Sequence, residues 1–211
     1  MRIITFVGLC LVTSGLLVVT VTMCCVRDYG PSDIVSIMDS CVIVCIGEFG
    51  HGSGVVLENG VVVTACHCAD TNLPLTVVQD GVIFEVEEII LSECWDTAIL
   101  IVPGITGGVE LASENTISLL DTVYVIGTPW SREFDHNVTV GLFCDFDVDW
   151  EYWIDAYRVS ADAGPGNSGG GVFDIHGHLV GIVVAGPDPG SGVTVVEPVK
   201  HFEELLNGRA R

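Results

Sequence analysis

Three residues of this chain have side chains that could do nucleophilic chemistry together: Ser168, His67 and Asp96. Ser168 sits in Gly166-Asn167-Ser168-Gly169-Gly170, within a run (161–171) of residues that almost lack side chains. Glycines permit positive φ and close backbone approach, so a serine framed by them can be held out while neighbouring amides converge on one point. That arrangement suits a nucleophile with a cradle for a developing oxyanion. His67 ends the apolar run Val61-Val62-Val63-Thr64-Ala65, and Asp96 opens Thr97-Ala98-Ile99-Leu100. Serine, imidazole and carboxylate are the set that activates a hydroxyl at neutral pH. Each also has an ordinary reading: a glycine-rich turn with a capping serine, a surface histidine at a strand end, a turn aspartate. Only the three together carry the chemical reading.

Elements able to position them are legible as short Val- and Ile-rich runs separated by turns. Segments 41–47, 53–57, 61–65, 75–79, 82–90 and 97–102 form a first set of six strands. A second set comprises 122–126, 138–144, 153–159, 170–174, 179–185 and 193–196. Asn59-Gly60 and Asp80-Gly81 supply the positive φ that tight hairpins need. The glycine-bearing segment 103–115 reads as a crossing between two β-rich halves. Convincing helical character is confined to 199–207, which follows Pro198, shares Phe202, Leu205 and Leu206 on one face and stops at Gly208. The expected fold class is all-β.

The 211 residues carry a net charge of −21. Beyond residue 30, five basic residues face 27 carboxylates, which argues against nucleic acid as a partner because phosphate binding needs a basic surface. Residues 3–26 contain no charged residue. As a helix they would span about 36 Å against a hydrocarbon core of roughly 30 Å. Residues 1–28 are therefore expected to be a hydrophobic helical membrane anchor or a signal sequence, and 29–211 a single domain. Arg2 on one flank, with Arg27 offset by Asp28 on the other, places that domain outside the cytoplasm, or secreted if the leader is cleaved. Three of nine cysteines lie in the leader. Cys41, Cys45, Cys66, Cys68, Cys94 and Cys144 lack zinc-knuckle spacing, no metal or cofactor is expected, and buried free thiols are the default reading. Asn137-Val138-Thr139 fits a glycosylation acceptor. His51, His136, His176 and His178 belong to no motif and are expected at the surface.

With these motifs in order, the chain resembles a trypsin-like serine peptidase of the chymotrypsin fold, and within it the HtrA-type branch. The resemblance covers roughly residues 41–206. Gly52-Ser53-Gly54-Val55-Val56 and Thr64-Ala65-Cys66-His67 match that branch's GSG strand and histidine motif. Asp96-Thr97-Ala98-Ile99-Leu100 matches its acidic strand, and Gly166-Asn167-Ser168-Gly169-Gly170 its nucleophile motif. Lesser landmarks are Tyr124-Val125-Ile126-Gly127-Thr128-Pro129 and Gly177-His178-Leu179-Val180-Gly181-Ile182.

The resemblance implies two six-stranded antiparallel β-barrels with the site in the cleft between them, and a serine endopeptidase acting on polypeptides. Ser168 would attack, His67 would shuttle the proton, Asp96 would orient the imidazole, and the Gly166 and Ser168 amides would form the oxyanion hole. It further implies that Asp162, six residues before Ser168, could select a basic residue at the cleavage site, though it also reads as a solvated turn residue. The different class of function on the same fold is a catalytically silent peptide-binding module. Asn167 stands where digestive members carry an aspartate that pairs with a new amino terminus, so activation of that kind is not expected. HtrA-type members carry a following peptide-binding PDZ domain; none is expected here. Many secreted members pair the cysteine after the catalytic histidine with one sixteen residues earlier, but that position holds Gly52.

Overall fold

The computed structural model describes residues 7–12, 15–20, 31–113, 116–150, 153–187 and 190–208. A hairpin of β1 (Val7–Val12) and β2 (Gly15–Thr20) comes first, followed by helix α1 (Pro31–Ile37). The first half then contains β3 (Cys41–Ile46), β4 (Gly50–Glu58), β5 (Val61–Thr64), the short helix α2 (Cys66–Ala69), β6 (Leu75–Gln79), β7 (Val82–Glu85), β8 (Glu88–Leu91) and β9 (Ala98–Ile101). The second contains β10 (Thr122–Gly127), β11 (Asn137–Trp150), β12 (Trp153–Val159), β13 (Gly171–Phe173), β14 (Leu179–Ala185), β15 (Thr194–Pro198) and the closing helix α3 (Val199–Gly208).

The second half is a closed antiparallel barrel of six strands, β10-β11-β12-β15-β14-β13. The all-β double-barrel fold is as expected, with the first half an incompletely closed barrel, a seven-stranded sheet of order β7-β6-β3-β4-β5-β9-β8. The expected strand 82–90 is broken at Val86-Glu87: β7 pairs with β6, β8 pairs with β9, and the Glu87 N–H donates to Ile101 O at 2.8 Å. The two outer strands are thus joined by two residues, so the sheet edges meet at a chain corner rather than in a ladder. Both hairpin turns form as expected, with positive φ at Gly60 and at Asp80 and Gly81.

The apolar helix expected over 3–26 is not found among the described residues. Residues 7–12 and 15–20 pair as antiparallel strands, from Val7 against Thr20 to Val12 against Gly15. The physical reason lies in composition, since valine and threonine favour the pleated conformation and Gly15 sits at the turn end. No helix among the described residues is long and apolar enough to cross a membrane. The rest of that segment lies outside the described residues.

Side chains from one strand serve two cores. On β5, Val62 packs with Val44, Val56, Val77 and Leu100 inside the first sheet, whereas Val61 and Val63 join Val55, Ile99, Ile126, Phe173 and Ile182 between the halves. Successive strand residues face opposite ways, so a strand buried on both faces reads as an uninterrupted apolar run. The closed barrel is filled by Val123, Val125, Phe143, Val159, Val172 and Val196. Helix α3 adds Val199 and Phe202 to the layer between the halves, tying the end of the second half to the first.

Candidate active site

His67 enters the site because β5 ends at Thr64 and the chain turns into α2, where the Cys68 and Asp70 N–H groups donate to the Ala65 and Cys66 carbonyls. Asp96 lies in the loop between β8 and β9. Since β5 and β9 are hydrogen-bonded neighbours, Thr64 opposite Ala98, their adjacent ends bring the two residues together across 29 positions. The His67 Nδ1 atom is 2.7 Å from Asp96 Oδ2, and the His67 backbone N–H donates to Asp96 Oδ1 at 2.9 Å. The aspartate thus grips both ring and main chain. That hydrogen bond foremost, with a further contribution from Cys68, raises the imidazole pKa well above its ordinary value, against the opposing effect of burial. Burial, then Asp96, pushes the Cys66 thiol up, so the neighbouring sulfur stays protonated.

Ser168 comes from the second half and lies against the first. Its carbonyl accepts the Ser53 N–H at 2.8 Å and lies 3.9 Å from Cys68 Sγ, next to His67 in the chain. The preceding loop is held by residues that sequence motifs barely mark. Ser53, 1% exposed, donates its hydroxyl to Gly166 O at 2.8 Å and accepts the Thr128 N–H at 2.9 Å. The Trp130 N–H donates to Pro165 O at 2.6 Å. In a trans peptide the carbonyl and the following N–H point oppositely, so this bond turns the Gly166 N–H away from Trp130. Among the described residues, neither the Gly166 nor the Ser168 N–H has a protein acceptor. These are two unengaged donors flanking Ser168, as an oxyanion site requires. Ser53 appeared in the sequence only as part of a GSG landmark, and its bridging role depends on the fold.

Gly169 has φ +84°, and a Cβ there would lie 2.1 Å from Ser53 O and 2.3 Å from Thr64 Oγ1. Backbone strain and overpacking together should make Gly169→Ala cost roughly 2–5 kcal/mol. Urea unfolding should show a lower midpoint with an unchanged slope. An unchanged midpoint would mean that this close approach is not made.

The cavity at Ser168 is about 170 Å³ and is lined by Ala163, Gly164, Pro165, Val183, Ala185 and Gly186. Asp162 is placed elsewhere. It lines a neighbouring cavity of about 320 Å³ with Trp130, Phe134, Asn137 and Thr139, and its Oδ1 accepts the Gly192 N–H at 3.1 Å. Ala163 and Gly164 line both cavities, and Asp162 lines only the one away from Ser168.

The four histidines expected at the surface are half-buried and engaged. His51 Nε2 is 2.9 Å from Thr128 O, behind Gly166; His136 Nε2 is 3.0 Å from Cys41 O; His178 Nδ1 is 3.0 Å from Asp174 Oδ2; and the His176 N–H donates to Asp174 Oδ1 at 2.8 Å. Asn167 is buried and lines the larger cavity, with no acceptor role for its Oδ1 among the described residues. Asn137 begins β11 opposite Gly127, and the Thr139 hydroxyl donates to Asp162 O, so the glycosylation triplet is held in the sheet. The six domain cysteines are free thiols; Cys41, Cys45 and Cys68 are buried, but Cys94 is exposed. A Cβ on Gly52 would lie 2.7 Å from Cys68 Sγ, which places Gly52 opposite the thiol, as the resemblance implies.

Comparison with known proteins gives one consistent picture. Residues 52–182 match the Trypsin-like peptidase domain family. An HtrA-like serine protease of Staphylococcus haemolyticus is 25% identical over 150 residues, covering 63% of this chain and 24% of that protein. The HtrA-like serine protease of Staphylococcus aureus (strain USA300) is 32% identical over 87 residues, covering 36% of this chain and 11% of its own length. The matches thus span a quarter or less of these relatives. Among solved structures, the HtrA-type protease AlgW with tripeptide superposes with a TM-score of 0.72 at 20% identity, over 86% of this chain and 63% of that one. The active form of the Rv3671c protease from M. tuberculosis gives 0.72 at 21% identity, over 83% and 82%.

Proposed function

Since the chain belongs to the trypsin-like peptidase family, we propose that it is a serine endopeptidase in which Ser168, His67 and Asp96 form the catalytic triad. The observation that carries this reading is the double grip of Asp96 on His67, at 2.7 and 2.9 Å, combined with a serine from the opposite half flanked by two unengaged amides.

In this reading the reaction runs as follows. With Nδ1–H committed to Asp96, the other ring nitrogen of neutral His67 is the free base. It takes the Ser168 hydroxyl proton as Oγ bonds to the scissile carbonyl carbon, and the carbonyl oxygen becomes an anion held by the Gly166 and Ser168 N–H groups. The imidazolium, stabilised by Asp96, returns the proton to the leaving amine as the C–N bond breaks. Water then repeats the sequence on the acyl-enzyme, with His67 as base again, and releases the acid and Ser168.

Reaction with a fluorophosphonate probe tests this reading. Labelling of the natural protein and none of Ser168→Ala is expected. A folded natural protein that resists the probe would instead fit a silent peptide-binding module on the same fold.

The substrate pocket is the cavity beside Ser168, whose alanine, glycine, proline and valine walls accept a small apolar side chain and offer no carboxylate to a basic one. Asp162→Ser should leave side-chain preference at the cleavage site unchanged in a peptide library. A switch from basic to neutral preference would overturn this assignment.

A further inference from the structure

Outside the site, Glu197 and His201 form a deeply buried titratable pair, 1% and 2% exposed, where β15 runs into α3. The His201 Nδ1 atom hydrogen-bonds Glu197 Oε1. On its other edge, His201 Nε2 lies 3.5 Å from Asp155 Oδ2 without a hydrogen-bond partner among the described residues, while that carboxylate meets Lys200 Nζ at 2.5 Å. Asp155 reaches this corner from a left-handed position in β12, φ +56°, a conformation uncommon for a residue with a Cβ. Burial raises the Glu197 carboxyl pKa, with the His201 hydrogen bond opposing it. Two apolar side chains would fill this space at no such desolvation cost. What the polar pair supplies is a flat ring oriented by the Glu197 hydrogen bond on one edge, with the Asp155 carboxylate near the other.

The face of that ring meets Trp95, with ring centroids 3.6 Å apart and planes within 5°. Trp95 immediately precedes Asp96 in a loop closed by its own hydrogen bonds. The Trp95 N–H donates to Ser92 Oγ at 3.0 Å, the Thr97 N–H to Trp95 O at 2.8 Å, and the Ser92 N–H to Thr97 O at 3.0 Å. In so short a closed loop, any sliding of Trp95 moves Asp96 with it.

We infer that His201 is a positioning residue for Asp96: its imidazole, oriented by its Glu197 hydrogen bond, stacks on Trp95 and holds the Asp96 carboxylate against His67 across the junction between the two halves. This rests on the reading of Asp96 as the triad carboxylate. It makes α3 a support of the site as well as a packing element. The stack touches neither the Ser168 cavity nor the two amides, so its loss should act on turnover rather than on peptide binding.

The test combines steady-state kinetics with nuclear magnetic resonance titration of the His67 ring, which reports the Asp96 contact whether or not the protein is active. Cys66, Cys68 and Asp70, the other titratable groups of that corner, stay unchanged in every variant. Trp95→Ala should lower kcat about 10- to 100-fold, the scale of a small misplacement in a catalytic site. KM should stay within about twofold, and the His67 midpoint should move to lower pH. Trp95→Phe, which keeps a ring on His201, should recover most of both losses. From the other side, Glu197→Gln/His201→Ala should reproduce the Trp95→Ala effects, and adding Trp95→Ala should cost nothing further, because partners in one contact are not additive. The glutamine avoids leaving a lone buried carboxylate. An unchanged His67 midpoint in folded Trp95→Ala, or additive losses from the two sides, overturns the proposal. If the natural protein resists the fluorophosphonate probe, the peptidase reading fails on its own, while the titration still decides whether the stack holds Asp96 to His67.

Discussion

Ser168→Ala is expected to lower kcat/KM by a factor on the order of 10⁶, the loss seen when a triad nucleophile is removed, and to leave the fold and peptide affinity nearly intact. The selectivity of the effect follows from which atoms of residue 168 do structural work. Its carbonyl accepts from Ser53 N–H, and the next amide, Gly169 N–H, donates to Val183 O at 2.7 Å. Both contacts are main-chain and survive the substitution, as do the Gly166 and residue 168 amides. The variant should therefore bind an apolar peptide with a Kd within a few-fold of the natural KM, measured by calorimetry, while releasing no product. Turnover above about a hundredth of the natural rate would exclude Ser168 as nucleophile, since loss of even one oxyanion donor costs 100- to 1000-fold.

Asp96→Asn carries the second large effect, about 10⁴ in kcat near neutral pH. Asp96 accepts two donors at once, the His67 main-chain N–H and the ring Nδ1–H. An asparagine has one oxygen to offer and must turn its NH₂ toward the other donor. The main-chain N–H cannot adapt, whereas the imidazole can shift its proton, so the amide oxygen faces the backbone and the NH₂ faces Nδ1. The ring is then driven to the tautomer protonated on the nitrogen that should act as base. The pH profile carries a separate sign. Asp96 raises the His67 pKa, the working base is the neutral ring, and natural kcat/KM should rise as pH climbs through that raised pKa. Without the carboxylate the folded-state pKa falls, so the acidic limb of Asp96→Asn should move to lower pH even as its plateau drops. An acidic limb at the same pH in both proteins would mean that another group sets it.

Much of this architecture could be read from local pattern. Segments 75–79, 153–159 and 179–185 are strands with the bounds that Val, Ile and turn residues imply, and Asp80-Gly81 takes the positive φ expected of a tight hairpin. The errors fall where non-local contacts override local preference. Residues 82–90 read as one strand, yet the break at Val86-Glu87 lets its two parts serve opposite edges of the sheet. The uncharged run 3–26 satisfied the length criterion for a spanning helix, but its β-branched residues pair as strands where they are described.

The amino-acid sequence by itself determined the chemical groups and their order, His67 then Asp96 then Ser168, and the two β-rich halves that present them, because residue type, hydrophobic period and turn glycines act over a few positions. Only the tertiary structure decided which groups meet. It joined His67 to Asp96 through neighbouring strand ends, set Ser53 and Trp130 as braces for the loop before Ser168, turned Asp162 into a separate cavity and stacked His201 on Trp95. Those outcomes depend on the paths of loops and on side-chain packing between segments from 29 to more than 100 residues apart, and no short-range pattern encodes on which side of a loop a side chain will emerge.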